Sequence, residues 1–388
     1  MLLSGLATLA LAGWLYLLLA RGGFWRCDQV LDRRAGGDGQ APEARIVAVV
    51  PARDEADVVG AAIASLLAAP LRPALQVVLA DDGSRDGTAE AARATARLMG
   101  LEGRLAVLAV PERPVGWSGK VWAMANGLAV ALERVPDASH VLFADADIRH
   151  DGEELADLAS FAVARRLDLA SLLVRLSCHG LAERLCIPAF VFFFQKLYPF
   201  RRVNTRRAAT AAAAGGCMLV SVEALRRLGG LQAIRGAAID DVALAKAVKP
   251  GGPIWLGLAV GSESLRGYDG LGGIWRMVVR SAYVQLRRSP LLLCGTVLGM
   301  TLLYLVPPVA LLLAEGLARL AAAVTLVLQL IAYRPTLRLY GLPYLWGLTL
   351  PLAGLLYTLM TVDSALRHGR GRGAVWKGRL EAGVGGGQ

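Results

Sequence analysis

Two aspartates separated by one residue, Asp145 and Asp147, follow an apolar run at residues 140–144. The run has the length of a buried strand, and open α/β sheets bind their ligands at the carboxyl ends of their strands. Two neighbouring carboxylates favour a hard divalent cation, which often carries the phosphate oxygens of a substrate. An acidic turn after a strand explains an isolated pair equally well, so the interpretation depends on the rest of the chain.

The composition indicates a membrane protein. Hydrophobic residues make up 55% of the 388 residues and charged residues only 19%, which is more apolar than most soluble enzymes. The net charge is +11, and much of the basic excess lies beside apolar segments, where it suits anionic lipid head groups. We find no nucleic-acid-binding motif and expect no nucleic-acid partner. The five cysteines have no regular spacing, which argues against a zinc site or a disulfide framework.

The first 20 residues predict a transmembrane anchor. They are uncharged and mostly apolar, and Arg21 and Arg26 follow them, which places residue 21 onward in the cytoplasm. A cleaved signal peptide is the alternative. Residues 21–44, of which 35–44 are polar and Gly-rich, are predicted to be a linker.

The C-terminal third predicts further membrane helices over residues 290–363. Its apolar runs lie at residues 291–314, 319–333 and 341–362. The tail, residues 364–388, is basic and therefore predicted to be cytoplasmic. Three crossings after a cytoplasmic domain would put that tail outside, so we expect one segment, around Pro307 or the short run at 319–333, to be re-entrant or interfacial. The expected location is the inner (plasma) membrane, with several crossings.

Between these membrane segments the pattern changes to alternating strands and helices. Near-continuous apolar runs at 46–50, 75–80, 105–110 and 141–144 are typical of strands in a parallel sheet that is covered on both faces. Helical patterns separate and follow them, at 54–69, 86–99, 119–134 and 152–166. The predicted fold class is therefore α/β, with a Rossmann-like, mostly parallel sheet.

Side chains that could bind a ligand follow each of the first two predicted strands, and another stands at the start of a later helix. Pro51 is expected to end the first strand, and Asp86 can cap the helix after the second. Asp81 or Asp82 can accept hydrogen bonds from a nucleobase or ribose. Lys120 stands at a helix start, where backbone N–H groups, the helix dipole and an ammonium would face a diphosphate, although a surface helix start also explains it. No G-x-G-x-x-G follows any strand, which argues against a dinucleotide site.

The second half of this region contains candidates for an acceptor site. Gly215 and Gly216 would let a sugar approach the backbone, or would form a tight strand turn. Asp240 and Asp241 begin a helix, where a carboxylate can act as a general base or simply cap the helix. Residues 185–207 combine aromatic and basic side chains, as an interfacial helix does, although core packing is the alternative.

Together these features resemble the family 2 glycosyltransferases with the GT-A fold. Residues 51–55 (Pro-Ala-Arg-Asp-Glu), 81–88 (Asp-Asp-Gly-Ser-Arg-Asp-Gly-Thr), the Gly-Lys at 119–120 with Asn126, and the Asp-Ala-Asp at 145–147 occur in the order and spacing of that family. The hopanoid-biosynthesis-associated subgroup is similar in three further places, which are residues 116–120 (Gly-Trp-Ser-Gly-Lys), 192–195 (Phe-Phe-Phe-Gln) and 376–379 (Trp-Lys-Gly-Arg).

The resemblance implies a role for each candidate residue. The GT-A domain would span residues 45–285, with a nucleotide-sugar half at 45–150 and an acceptor half at 151–285. Asp147, with Asp145, would hold Mg²⁺ or Mn²⁺, and Asp241 would be the general base, with Asp240 in place of the usual Glu. The implied donor-binding residues are Pro51, Ala52, Arg53, Glu55, Asp81, Asp82, Lys120 and Asp145. The implied acceptor-side residues are Gly215, Gly216, Cys217, Trp275 and Arg276.

The expected activity is that of a membrane-bound inverting glycosyltransferase. It would move a sugar from a nucleotide diphosphate, first of all a UDP-sugar, to a lipid acceptor, and the subgroup resemblance suggests a hopanoid or related isoprenoid lipid. One alternative is a processive polysaccharide synthase, but residues 272–276 (Gly-Gly-Ile-Trp-Arg) stand where such synthases have Gln-x-x-Arg-Trp. The other alternative is a non-catalytic membrane scaffold that keeps the same fold.

Overall fold

The computed structural model of the protein describes residues 2–31 and 44–370, together with the short backbone pairs 375–376 and 379–380. Most of the Gly-rich part of the predicted linker and most of the predicted basic tail lie outside the described residues. The chain divides into two compact units. The first comprises Met1–Asp28, Ser177–Arg201 and Tyr268–Ala374, and the second comprises Gln29–Leu176, Arg202–Gly267 and Val375–Gln388.

The strands of the described residues belong to the second unit. They are β1 (Ile46–Ala52), β2 (Gln76–Asp81), β3 (Leu105–Ala109), β4 (His140–Ala144), β5 (Ile148–Arg149), β6 (Leu169–Arg175), β7 (Cys217–Ser221), β8 (Ile254–Ser264), β9 (Val375–Trp376) and β10 (Arg379–Leu380). The helices are α1 (Leu2–Ala20), α2 (Ala56–Leu67), α3 (Thr88–Leu98), α4 (Gly119–Arg134), α5 (Gly152–Ala164), α6 (Leu181–Leu197), α7 (Phe200–Val203), α8 (Val222–Arg227), α9 (Asp240–Val248), α10 (Gly270–Gln285), α11 (Pro290–Met300), α12 (Val306–Leu313), α13 (Gly316–Leu339) and α14 (Leu350–Gly369).

One eight-stranded sheet organises the second unit, in the order β3-β2-β1-β4-β7-β6-β8-β5. β3, β2, β1 and β4 are parallel neighbours, and β6 is parallel to β8. β7 runs antiparallel to both β4 and β6, and the short β5 runs antiparallel to β8. The predicted α/β fold with a mostly parallel sheet is confirmed. Because β2, β1 and β4 are parallel and adjacent, the residues that follow them meet at one edge of the sheet.

The predicted strands and helices of the first half are also observed. The four apolar runs form β1 to β4, and the helical patterns between and after them form α2 to α5. β1 and β4 are buried along their whole length, as strands covered on both faces must be. One detail differs, because β1 continues through Pro51 to Ala52. The pairing of β1 with β4 ends at Val49, so the N–H that Pro51 lacks breaks no bond to β4.

The first unit contains the helices that are long and apolar enough to span a membrane. Among the described residues these are Leu2–Ala20, Pro290–Leu313, Gly316–Leu339 and Tyr344–Gly369. The predicted short run at 319–333 is part of α13, which has 24 residues. The prediction of a short segment was wrong because the helix continues past the apolar run, through Arg334, Pro335 and Arg338.

Two prolines interrupt the second of these spans. A π-helical turn, Thr301–Leu305, separates α11 from α12. Pro307 and Pro308 have no N–H to donate to the preceding turn, which frees the carbonyl of Leu303. The side chains of Trp14 and Gln329 donate to this carbonyl, each over 2.9 Å. The Leu303 carbonyl is therefore hydrogen-bonded within the first unit, as a carbonyl in apolar surroundings must be.

Candidate functional site

Lys120 connects the Asp-x-Asp motif to the helix that begins at Asp240. Its Nζ lies 2.8 Å from Oδ1 of Asp145 and 3.1 Å from Oδ2 of Asp240. Burial alone would lower the pKa of the Lys120 ammonium, but Asp145 and Asp240 outweigh burial and hold this pKa above its ordinary value. Lys120 therefore stays charged, and its ion pairs join two motifs that are far apart in the sequence.

The start of α4 determines where the Lys120 ammonium lies. Ser118 is the N-cap residue, and its Oγ accepts the N–H of Val121 over 3.4 Å. Lys120 is the second residue of this helix, so it lies at the positive end of the helix dipole. The predicted position of Lys120 at a helix N-terminus is confirmed.

Asp241 is oriented by backbone hydrogen bonds. Its Oδ2 accepts the N–H of Gly215 over 3.0 Å, and its Oδ1 accepts the N–H of Val242 over 2.7 Å. Burial raises the pKa of the Asp241 carboxyl, the neighbouring Asp240 raises it further, and Lys120 opposes them, with a result of about 7. A carboxylate with a pKa near neutrality is suited to accept a proton at physiological pH.

Gly215 lies at the centre of this cluster. A Cβ at this position would stand 3.1 Å from Nζ of Lys120, 3.6 Å from Oδ2 of Asp241 and 3.7 Å from Oδ2 of Asp145. Two of the predicted acceptor-side residues are closely packed. A Cβ at Gly216 would come within 2.9 Å of Val174, and Cys217, the first residue of β7, is fully buried, so their role toward an acceptor stays a prediction.

Asp147 lies beside the end of β8. Its backbone carbonyl accepts the N–H of Leu265 over 2.7 Å, and Oδ2 of its side chain is 3.4 Å from Oγ of Ser264. Nε of Arg266 donates to the same Oδ2 over 3.3 Å, and the Arg266 guanidinium also pairs with Glu55. Sequence reasoning missed Arg266, because no local pattern shows that the residues after β8 lie beside Asp147.

The loops after β1 and β2 are bound to each other. Nη1 of Arg53 is 3.0 Å from Oδ2 of Asp82, and both side chains are buried. The N–H of Asp54 donates to Oγ of Ser84 over 3.0 Å, and the N–H of Ser84 donates to Asp81 over 3.0 Å. The predicted donor-binding residues at 51–55 and 81–82 are therefore held together at the edge of the sheet, and their role toward a donor stays a prediction.

Asp86 contacts the starts of two helices. Its carboxylate accepts the N–H of Ala56, the first residue of α2, over 2.9 Å, and the N–H of Thr88 over 3.1 Å. The N-cap position of α3 itself is Gly87, which has no side chain for a cap. Asp86 thus binds the first N–H of each helix without occupying the predicted capping position.

A cleft of about 440 Å³ opens beside Asp82. It is lined by Asp82, Gly83, Val110, Pro111, Glu112 and Arg113. The cleft lies along the carboxyl ends of β2 and β3, where α/β sheets bind nucleotides. Its polar lining and position are suited to a nucleoside.

Trp275 and Arg276, which were predicted to be acceptor-side residues, belong to the other compact unit, in α10. Nε1 of Trp275 donates to Asp363 of α14 over 2.7 Å. Arg276 is mostly exposed and lies 3.7 Å from Asp269. Within this unit Trp275 links α10 to α14, and the predicted role of both residues toward an acceptor stays a prediction.

The two aspartates of the Asp-x-Asp motif fit a divalent cation that is shared with a diphosphate. In the described part of the chain, no group of three His, Cys, Asp or Glu side chains could hold a metal ion alone. Mg²⁺ commonly uses one or two protein carboxylates and takes its other ligands from substrate phosphates and water. Asp145 and Asp147 supply this smaller set.

The comparisons with known proteins agree with the fold and the motifs. Residues 47–229 match the family described as "Glycosyl transferase family 2". No curated protein sequence matches the chain. Among solved structures, the mannosyltransferase PcManGT from Pyrobaculum calidifontis, in complex with GDP-Man and Mn²⁺, is similar over 93% of this chain and 99% of its own, with 20% identity and a TM-score of 0.53.

Two other similar structures have lower TM-scores. Glucosyl-3-phosphoglycerate synthase from Mycobacterium tuberculosis is 19% identical, with a TM-score of 0.38, over 66% of this chain and 82% of its own. TarS from S. aureus is 15% identical, with a TM-score of 0.39, over 84% of this chain and 92% of its own. The similarity to PcManGT supports the fold. Residues 47–229 of this chain therefore form a glycosyl transferase family 2 domain.

Proposed function

We propose that this protein is a membrane-bound inverting glycosyltransferase, which moves one sugar from a nucleotide diphosphate donor to the hydroxyl group of a lipid. The donor would bind along the loops after β1 and β2, with its diphosphate toward Lys120 and the Asp-x-Asp motif. A UDP-sugar is our first choice, and the GDP-Man bound by PcManGT makes a GDP-sugar the second.

The observation that carries this proposal is the position of Lys120 between Asp145 and Asp240. These ion pairs bring the candidate diphosphate end of the site next to the candidate base, Asp241. A transferase of this type needs the leaving group and the base on either side of one anomeric carbon. A scaffold that only kept the fold would have no need for this arrangement of charges.

The proposed reaction is a single displacement. The acceptor oxygen attacks the anomeric carbon while the bond from that carbon to the diphosphate oxygen breaks, and Asp241 takes the hydroxyl proton. The N–H groups of Gly215 and Val242 hold the Asp241 carboxylate in place for this transfer. Lys120 places a positive charge near the departing diphosphate, where negative charge develops.

Asp147 and Asp145 would hold a Mg²⁺ or Mn²⁺ ion when the donor is bound. Bound there, the cation would neutralise charge on the leaving nucleotide as a Lewis acid. The chain itself supplies the two carboxylates, which follow β4 and are separated by one residue.

The apolar helices of the first unit support the membrane and lipid parts of the proposal. Four described segments of this unit are long and apolar enough to cross a bilayer, which suits an acceptor that resides in the membrane. We propose a hopanoid or a related isoprenoid lipid as the acceptor, at the cytoplasmic face of the inner membrane. This finer assignment depends on the resemblance of residues 116–120 and 192–195 to the hopanoid-associated subgroup.

The test is nucleotide release by the purified full-length protein in detergent. The assay would contain UDP-glucose or GDP-mannose, Mn²⁺ and a total lipid extract. Asp241→Asn removes the candidate base and is expected to lower lipid-dependent release by roughly a hundredfold or more. Asp137→Asn is the matched control, because Asp137 is an exposed aspartate that pairs with Arg45.

The outcomes separate the possible functions. Release that requires lipid, is lost in Asp241→Asn and is kept in Asp137→Asn supports the transferase. No release with any donor, from protein shown to bind none of them, would favour the non-catalytic scaffold instead.

A further inference from the structure

Each carboxylate of the Asp-x-Asp motif has its own basic partner. Lys120 is 2.8 Å from Asp145, and Nε of Arg266 is 3.3 Å from Asp147. The Arg266 guanidinium also pairs with Glu55, so it links the loop after β1 to the loop after β4. A divalent cation at Asp147 would therefore meet a positive charge that is already there.

The two basic side chains differ in how firmly they are held. The side chain of Lys120 is 19% exposed and contacts two carboxylates from different elements. The side chain of Arg266 is 44% exposed and extends from the short segment between β8 and α10. The contact of Arg266 with Asp147 therefore costs less to break than the contacts of Lys120 with Asp145 and Asp240, because half-exposed ion pairs contribute little.

We propose that Arg266 is an internal cation that competes with the divalent metal for Asp147. Without donor it neutralises Asp147 and Glu55, and it gives up Asp147 when the metal and the diphosphate enter together. This inference rests on the proposed function, since it assumes a metal-bound donor at this site. Arg266 would be a positioning residue, which keeps the carboxylates in place between reaction cycles.

The balance of charges at this site explains why Arg266 would compete with the metal. The site brings together five carboxylates, those of Glu55, Asp145, Asp147, Asp240 and Asp241, and two of the basic groups among them are Lys120 and Arg266. A guanidinium near Asp147 reduces the repulsion among these carboxylates and, for the same reason, opposes a second cation. A metal that arrives already bound to a diphosphate brings its own negative charge and overcomes this opposition.

The test measures Mn²⁺ binding to the full-length protein in detergent, without donor, from the electron paramagnetic resonance signal of free Mn²⁺. Arg266→Gln is expected to bind Mn²⁺ about three- to fivefold more tightly than the unaltered protein. Arg266→Lys, which keeps the charge, should restore most of the weaker affinity. Arg45→Gln is the matched control, because Arg45 is an exposed arginine that pairs with Asp137 and precedes β1, at the opposite end of that strand from Glu55. It removes the same charge farther from Asp147 and should change the affinity less than twofold.

Unchanged or weaker Mn²⁺ binding in Arg266→Gln, or equal tightening in Arg45→Gln, would overturn the inference. Adding Asp147→Asn to Arg266→Gln should abolish the gain, and a gain that persisted would also contradict it. The activity assay is independent of these measurements. Tightened binding without sugar transfer would refute the proposed function alone, whereas transfer with unaltered binding in Arg266→Gln would refute this inference alone.

Discussion

At the residue scale, Gly215 keeps open the space between Lys120, Asp145 and Asp241. Gly215→Ala would place a Cβ 3.1 Å from Nζ of Lys120, so the ammonium or the backbone must shift. Because a shift of a few tenths of an ångström already disturbs the alignment of groups at a reacting centre, we expect lipid-dependent nucleotide release to fall roughly three- to tenfold. Gly103→Ala is the control, since a Cβ there meets nothing within 4 Å, and its activity should be unchanged. Full activity in Gly215→Ala would show that the cluster is not the reacting centre.

His150 predicts a pH dependence of stability. Its side chain is 5% exposed, and neither ring nitrogen has a hydrogen-bond partner among the described residues. Burial lowers the pKa of this imidazole from 6.5 to about 4, against a smaller opposing effect of Asp145. The unfolded chain therefore binds the proton more readily than the folded chain below pH 6.5, so this contribution to stability is lost as the pH falls from 6.5 toward 4.

The measurement is the melting temperature of the protein in detergent across that pH range, compared with His150→Leu. Each unit by which the folded and unfolded pKa values differ is worth about 1.4 kcal/mol. The leucine variant should lose stability less steeply as the pH falls. Parallel curves for the two proteins would mean that His150 is protonated, or solvated, in the folded state.

Residues of this site differ in how far sequence could predict them. Asp145, Asp147 and Lys120 were predictable because each follows a strand or opens a helix, so a local pattern determines where it lies. Arg266 was not, because its pairing with Asp147 depends on the end of β8 meeting the end of β4. No local pattern carries that information.

At the scale of elements, Glu154 attaches α5 to β8. Its buried carboxylate, 4% exposed, accepts the N–H groups of Val260, Gly261 and Ser262, over 2.6, 3.3 and 2.8 Å. Glu154→Ala would leave these backbone donors without their partner, and we expect a loss of about 2–4 kcal/mol in the free energy of unfolding. Denaturant unfolding, with the adjacent and exposed Glu153→Ala as control, measures this effect. An equal effect of both substitutions would contradict the role of Glu154.

Secondary-structure elements were predicted well where the burial of their side chains determined the sequence pattern. β1, β2 and β4 are apolar runs because the sheet is covered on both faces there, and the same pattern is visible in the sequence. The extent of α13 was predicted poorly, because hydropathy ends at the first arginine, whereas helical hydrogen bonding continues through Arg334 and Arg338. Such boundaries depend on packing within the unit rather than on composition.

At the scale of the whole molecule, the side of the membrane reached by the C-terminal tail is a direct test of topology. With Arg21 and Arg26 on the cytoplasmic side, four complete crossings would leave the end of α14 outside. Arg367 and Arg370 favour the cytoplasmic side for that end. We therefore expect one of the four segments not to cross completely, and the broken segment at Thr301–Leu305 is the first choice.

A protease-cleavable epitope added after the last residue tests this expectation. We expect the protease to remove it in inside-out vesicles and to leave it in right-side-out vesicles. An epitope inserted after residue 230, in the second unit, is the control for the cytoplasmic side. Removal of the C-terminal epitope only in right-side-out vesicles would mean that all four segments cross.

The structure of the product tests whether Asp241 and Lys120 catalyse the transfer of a single sugar to a lipid with inversion. We would determine it by mass spectrometry and NMR after incubation of the protein with an α-linked nucleotide sugar, Mn²⁺ and the lipid extract. We expect a lipid that carries one sugar in a β linkage, absent from the Asp241→Asn reaction. A polysaccharide ladder, a product with the α linkage, or the same product from the Asp241→Asn protein would contradict it.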